Sequence, residues 1–308
     1  RSDFDGVART DAAGFTIGNK GYICGGYNGK TTRLADTWEY DIDNDWWTQR
    51  ADMPGTVRNA ATGFPVGNKG YITTGYNPDQ KYLADTWEYD PETNTWRQMD
   101  DFKGGARYYA LGFGIDNYGY VGTGYNDNYL KDFYRFDPTA AAGSQWTIVN
   151  GFGGQKRQGA TAFVIDGKAY VCGGQNNNSD VSDFWRFDPS AATPWTQLRD
   201  IANTSDDDYD DDYTSIVRSY GVSFVIDGKA YLTLGSTAGG SYYSNYWIYD
   251  PETDLWEGDD LTAFEGSTRI HAVCFSTGTR GIIATGGSGS SSYFDDTWEL
   301  KPYEYEEE

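Results

Sequence analysis

The chain has 308 residues, with 24 Lys+Arg against 46 Asp+Glu and a formal charge of −22. A surface that acidic repels phosphate backbones and anionic membranes, which argues against nucleic-acid binding and direct membrane insertion. No apolar run approaches the ~18 residues of a membrane span, and three cysteines with one histidine supply neither a disulfide framework nor a nitrogen-and-sulfur metal site.

The octet LADTWEYD at Leu34–Asp41 returns at Leu83–Asp90, 49 residues later. It belongs to a longer period. Arg9, Arg58, Arg107, Arg157, Arg218 and Arg269 follow one another at spacings of 49, 49, 50, 61 and 51. A later landmark, Trp38, Trp87, Tyr134, Trp185, Trp247 and Trp298, keeps the same rhythm. Six units are therefore expected, with approximate bounds 1–50, 51–100, 101–150, 151–200, 201–260 and 261–303, and an acidic tail at 304–308.

Within a unit the elements read as four short strands. The first follows the arginine with small residues, as in Ala60-Ala61-Thr62-Gly63-Phe64. It ends at a tight turn such as Asp166-Gly167-Lys168, a dipeptide suited to two-residue hairpins. The second, such as Ala169-Tyr170-Val171-Cys172, runs into a glycine pair and a variable loop. In the third, Trp87 and Tyr89 alternate with Thr86 and Glu88 at period two. The turn Asp90-Pro91-Glu92-Thr93 leads to the fourth, marked by Trp96 and by Trp47, Trp146, Trp195 and Trp256 elsewhere. A four-stranded unit with aromatics on both faces must be covered by neighbours, and a ring covers every face. The expected fold is all-β, a six-bladed propeller of four-stranded antiparallel blades.

The pattern Arg…Gly-Gly…Asp-x-Trp-x-Tyr-Asp-Pro…Trp, at about fifty residues per unit, resembles the kelch repeat over essentially the whole chain. Gly70-Tyr71-Ile72-Thr73-Thr74-Gly75-Tyr76-Asn77 resembles the wording of secreted kelch proteins of Bacteroidetes. The resemblance implies a setting that is extracellular, at the cell surface or periplasmic, with any signal or anchor segment outside this chain. Kelch propellers include galactose oxidase, sialic-acid mutarotase and many adaptors that only bind, so fold leaves function open. Galactose oxidase chemistry needs a copper site with two histidines, and this chain has only His271.

Two units depart from the repeat. The spacing of 61 comes from an insertion, Thr204-Ser205-Asp206-Asp207-Asp208-Tyr209-Asp210-Asp211-Asp212-Tyr213. It reads either as a calcium loop of oxygen ligands or as a solvated, self-repelling acidic loop, and the second reading is preferred. Ser205–Tyr213 is expected to be mobile without added ions. The last unit has no fourth-strand tryptophan, while Arg1-Ser2-Asp3-Phe4 aligns with Arg50-Ala51-Asp52-Met53. A completing strand is expected upstream of Arg1, or a last blade that is three-stranded or has a partial edge from the tail near Tyr303.

Several local patterns are set aside. Gly25-x-x-x-Gly29-Lys30-Thr31 is one residue short of a phosphate loop and no helix follows it. Asp41-x-Asp43-x-Asp45 occupies the slot of a polar turn. Cys24 and Cys172 fill one slot in opposite units and read as buried thiols.

Strand order places the connections between units and the loops after the glycine pairs on one face. That face carries Tyr27, Tyr76, Tyr125 and Gln175, residues suited to adaptable binding, together with all six arginines. Third strands begin there with Asp36, Asp85, Asp132, Asp183 and Asp296, so the arginines read either as struts or as ligand contacts. In kelch adaptors arginines at this position grip acidic side chains. That resemblance implies an arginine ring at the channel mouth. Arg218, lacking a carboxylate because the fifth unit has Asn245, would form an anion site with Tyr220, Arg269 and His271. The preferred function is a non-catalytic binding module for a glycan or an acidic protein partner, without a catalytic or metal site. The alternatives are a scaffold part of a cell-surface assembly, or a sugar-modifying enzyme resembling sialic-acid mutarotase, with Glu265 or His271 moving the proton.

Overall fold

A computed structural model describes residues 1–29, 32–258 and 261–302. Lys30, Thr31, Asp259, Asp260 and the tail from Tyr303, on which the partial-edge expectation rested, lie outside the described residues. Six antiparallel sheets stand around one axis, and each begins with its innermost strand: Ala13–Ile17, Thr62–Val66, Leu111–Ile115, Thr161–Ile165, Val222–Ile226 and Val273–Ser276. In blade 1 the order continues outward through Lys20–Tyr27, Arg33–Asp41 and Trp46–Arg50, with neighbours paired in sequence. Blades 1 to 5 have four strands, and blade 6 has three among the described residues, ending at Thr297–Leu300. The only helical turn among them is Asp208–Asp210, and no helix is long and apolar enough to cross a membrane.

Neighbouring blades interlock by size. The phenylalanine at the centre of each inner strand lies over a small residue in the second strand of the next blade. A methyl group added at Gly70 would overlap the Phe15 ring, one at Gly119 the Phe64 ring, and one at Gly281 the Phe224 ring. Blade 6 closes the ring by the same device, with Phe275 over Gly21. Alanine fills this slot at Ala169 and Ala230, which share core clusters with Phe113 and Phe163 respectively. The broad tryptophans of the outer strands, such as Trp47, Trp146 and Trp195, fill the widening gap farther out.

The N-terminal segment reaches blade 6, as the alignment of Arg1–Phe4 with Arg50–Met53 anticipated. Arg1 pairs with Glu299 as Arg50 pairs with Glu39. The Phe4 N–H donates to Asp295 O, as the Met53 N–H does to Ala35 O. Trp47 of blade 1 donates to Thr297 Oγ1 at 3.2 Å, which adds a second tie across the closure.

The acidic insertion departs from the expectation of a solvated loop at one aspartate and at its closing tyrosine. Asp210 is buried, and its carboxylate accepts the N–H groups of Thr204 and Ser205, both at 2.9 Å, and the Ser205 hydroxyl at 3.0 Å. Buried Tyr213 packs edge-on against Trp247 and accepts the Trp256 N–H at 2.8 Å. These contacts anchor both ends of the run, while Asp206, Asp207, Asp208, Asp211 and Asp212 stay exposed. Among the described residues no group of three or more carboxylates, cysteines or histidine is arranged to hold a metal ion.

The interblade register yields a graded expectation. Gly70→Ala should cost about 1–3 kcal/mol, because its methyl group overlaps the Phe15 ring and forces it aside, and Gly70→Val, with two more methyl groups at the same point, should cost more. Denaturant unfolding of the two variants checks the order. Equal costs would remove the interlock from the account of ring packing.

Candidate binding face at the axis

The six arginines are internal struts, which corrects the expected arginine ring at the channel mouth. All are at most 1% exposed. Arg58 shows the pattern. Nε donates to Thr56 O, Nη1 to Thr74 O at 3.0 Å and to Asp85 Oδ1 at 2.7 Å, and Nη2 to Asp85 Oδ2 at 2.6 Å. Trp87 Nε1 donates to the same carboxylate at 2.6 Å. Burial opposes the charge on Asp85, yet the bonds and charge of Arg58 outweigh it and hold the carboxyl below its ordinary range. Arg9, Arg107 and Arg269 repeat the two-pronged pairing with Asp36, Asp132 and Asp296, and Arg157 pairs with Asp183. Rings of Phe4, Phe102, Phe152 and Phe264 lie beside four of these guanidinium groups.

Arg218 lacks a carboxylate, as Asn245 implied, but it is not an open anion site. Its donors go to Ile216 O, Leu234 O, Ser215 O and Asn245 Oδ1, and the Tyr243 ring lies 4.8 Å away. Burial without a compensating charge pushes its pKa down to about 10. Its partners in the expected anion site separate in the same way: Arg269 is a strut, whereas Tyr220 and His271 reach the axis.

Two residues after each arginine the backbone turns left-handed: Asp11, Ala60, Tyr109, Gly159, Tyr220 and His271 have φ between 51° and 64°. Their N–H groups donate around the axis, each to its counterpart in the preceding blade. The bonds run Ala60 to Asp11 (2.8 Å), Tyr109 to Ala60 (3.0 Å), Gly159 to Tyr109 (3.3 Å), Tyr220 to Gly159 (2.8 Å), His271 to Tyr220 (3.2 Å) and Asp11 to His271 (3.3 Å). This closed belt of six bonds holds five non-glycine residues in a conformation that costs on the order of 1–3 kcal/mol each.

The belt brings four side chains together that are far apart in sequence. Tyr109 Oη donates to Asp11 Oδ1 at 2.7 Å, and His271 Nδ1 lies 3.0 Å from the same oxygen. His271 stacks on Tyr109 at 5.0 Å and touches Tyr220 at 4.2 Å between ring centroids. The Asp11 contact makes Nδ1 the donor, so a neutral His271 presents Nε2 as an acceptor. Burial opposes the charge on Asp11, but His271, the Tyr109 hydroxyl and Arg33 together hold its carboxyl below the usual range. Burial and the Asp11 charge push the Tyr109 phenol well above its ordinary pKa. The amides of Gln158 and Gln175 converge on Tyr220 Oη at 2.7 and 2.6 Å. Beneath this cluster the channel continues as a cavity of about 190 Å³ lined by small residues, among them Ala12, Ala162, Ser223 and Cys274.

Around the axis the face is asymmetric. Tyr27, Tyr76, Tyr125 and Gln175 occupy one equivalent position in blades 1 to 4, bridged to Thr10, Asn59, Tyr108 and Gln158. Blades 5 and 6 carry Ser236 and Gly287 there. Tyr108 touches the rings of Tyr76, Tyr82, Tyr109 and Tyr125, while Tyr27 meets Tyr293. Half-buried tyrosines thus form a connected platform over blades 2 and 3 beside the axial cluster, and Tyr27 with Tyr293 forms a second pair across blades 1 and 6. Glu265 is exposed on the connection between blades 5 and 6, and its described electrostatic neighbour is Tyr246 rather than His271. Asp11, Tyr109 and Gln158 are the members that sequence reasoning missed, although their positions one and two residues after the repeated arginine carried the signal.

The Kelch motif family model matches residues 8–54, 66–103 and 156–198. A solved structure described as that of YjhT matches with a TM-score of 0.77 at 15% identity, covering 96% of this chain and 95% of that one. That likeness is one of fold. No curated protein matches the chain.

Two variants separate strut from site. Arg58→Ala strands the Asp85 carboxylate and should cost about 3–5 kcal/mol, whereas Arg218→Ala leaves only neutral acceptors behind and should cost less; denaturant unfolding gives both values. The Asp11 contacts contribute fully above the unfolded carboxylate pKa of about 4 and are lost as pH falls through the lower folded value. Asp11→Asn should therefore reduce stability at neutral pH and flatten the acid limb of the stability curve. An unchanged limb in acid titrations would show that Asp11 gains nothing from its neighbours.

Proposed function

Because this chain is a kelch-repeat β-propeller, a fold that supports binding or scaffold roles in general, we propose that it is a non-catalytic module whose loop face binds a glycan. The tyrosine platform beside the polar axial cluster carries this reading. A sugar ring has an apolar C–H face and a rim of hydroxyls. The first needs flat aromatic area, and the second needs fixed donors and acceptors around a concavity. Tyr27, Tyr76 and Tyr108 supply the area. Asp11, His271 and the Tyr220 hydroxyl supply the polar partners.

An acidic protein partner loses the support of the six repeated arginines, which are buried with their donors already taken by carboxylates or neutral acceptors. A sugar-modifying activity keeps one specific observation in its favour. Asp11 orients His271, which is the arrangement a general base requires.

The test is capture on a glycan array, with Tyr27→Ala, Tyr108→Ala and His271→Ala as variants. Captured sugars are then followed by proton NMR for chemical change. The expected result is saturable capture, weakened at least about fivefold by the loss of either tyrosine, without turnover. Conversion of a captured sugar that His271→Ala abolishes would replace this reading with the enzymatic one. Absence of capture would remove it.

A further inference from the structure

A cation of the loop face, Arg33, is held among the tyrosines. Arg33 begins the third strand of blade 1 and pairs in register with Tyr27. Its guanidinium carbon lies 4.2 Å from the Tyr27 ring centroid and 5.6 Å from that of Tyr76. Nε donates to Asn59 Oδ1. These contacts fix the plane of the group and occupy its inner edge. Among the described residues no carboxylate forms an ion pair with Arg33, although the chain carries 46 Asp+Glu. The six buried arginines differ in this respect, since five hold a carboxylate and the sixth is enclosed by neutral acceptors. Arg33 also acts electrostatically on Asp11 and Tyr293, which places it at the rim of the axial cluster.

A guanidinium held against aromatic rings is partly desolvated, and its terminal nitrogens offer two parallel N–H bonds that match a carboxylate or sulfate edge. Asp11, at the centre of the cluster, has the opposite preference: it accepts hydroxyls and repels anions. The face is therefore polarised, with hydroxyl acceptance at the axis and anion acceptance at the rim. The distant carboxylates behind the charge of −22 act only weakly here, because exposed charges are screened beyond about 8 Å at physiological salt.

We propose that Arg33 binds the anionic substituent of an acidic saccharide, a carboxylate or a sulfate, while the sugar ring lies on Tyr27 and Tyr76. This rests on the glycan reading above and adds the ligand's charge and its orientation. The ring presents hydroxyls to Asp11 and His271, and its acidic group points away from the axis.

The test uses an array that pairs neutral saccharides with their uronic-acid and sulfated counterparts, probed with the wild-type chain, Arg33→Gln and Arg33→Lys. Wild type should prefer acidic members about tenfold. Arg33→Gln should lose that preference while still capturing neutral members, and Arg33→Lys should recover only part of it because an ammonium lacks the fork. The preference should fade as NaCl rises from about 50 to 500 mM, a response that a purely structural arginine would not give. Uronic and sulfated members report separately which anion is read, and melting curves establish that the variants are folded. Equal capture of neutral and acidic members, or a preference that survives in Arg33→Gln, overturns the role of Arg33 and leaves the glycan reading standing. Capture of no saccharide overturns both.

Discussion

Each repeated arginine belongs to two blades at once, and the ring depends on that double membership. The backbone of Arg58 pairs with blade 1: its N–H donates to Leu34 O and its carbonyl accepts from the Gly26 N–H. Its side chain is spent in blade 2, on Thr74 O and Asp85. Arg107 and Arg157 repeat the arrangement one blade further on. Arg9 closes it, with its backbone on Phe294 and Gly286 of blade 6 and its side chain on Asp36 of blade 1. A lysine could not do this, because one ammonium cannot reach a carboxylate edge and a backbone carbonyl in the same plane. The glycine after each arginine-bound carbonyl is part of the device. A side chain at Gly26, with φ of 106°, would be strained and would press on Thr10 O.

The staple also sets what the axis can display. Because the arginine fixes the chain on both sides, the residue two places later is forced into the left-handed region, whatever its type. Alanine, aspartate, tyrosine and histidine all adopt it here. The strain is borne by the closed belt of backbone bonds and by a packed frame of phenylalanine on glycine. Side-chain identity at the axis is thereby uncoupled from folding. The frame holds six positions in place, and their chemistry is free to vary.

That uncoupling explains what could be read from the sequence. The six-bladed ring was legible because the residues that build it recur: Arg58 and Arg107, Trp87 and Trp298, Gly70 and Gly119. The same recurrence misdirected the reading of function. Six identical arginines read equally as struts or as a ligand ring, but identity across all blades is the mark of a part that every blade needs. Asp11, Tyr109 and Gln158 were passed over because nothing local in Arg9-Thr10-Asp11 or Arg107-Tyr108-Tyr109 indicates that the chain turns inward there. Only their place relative to the arginine does. In the insertion, five aspartates are exposed as a solvated loop implies, and the sixth was missed for a different reason. Composition weighs its aspartates as one charge block, whereas burial singles out Asp210 because adjacent Thr204 and Ser205 donors converge on it.

Binding requires the six-fold pattern to be broken, since a ring of identical blades would offer identical small sites. Here the break has a direction. At the equivalent position Tyr27, Tyr76 and Tyr125 stand on blades 1 to 3, an amide on blade 4, and the small Ser236 and Gly287 on blades 5 and 6, while linked rings crowd blades 2 and 3. The axial residues are graded too. Asp11, Tyr109, Tyr220 and His271 gather at the axis, Ala60 adds only a methyl group, and Gly159 makes room for the Tyr220 ring, which a side chain there would overlap. A ligand on this face would meet aromatic rings on one side and a fixed charge at the axis, an asymmetry that favours one orientation. The buried arginines contribute nothing to that selection directly. Their role is to hold each of these unlike side chains at one radius and height, so that differences between blades become differences in chemistry rather than in position.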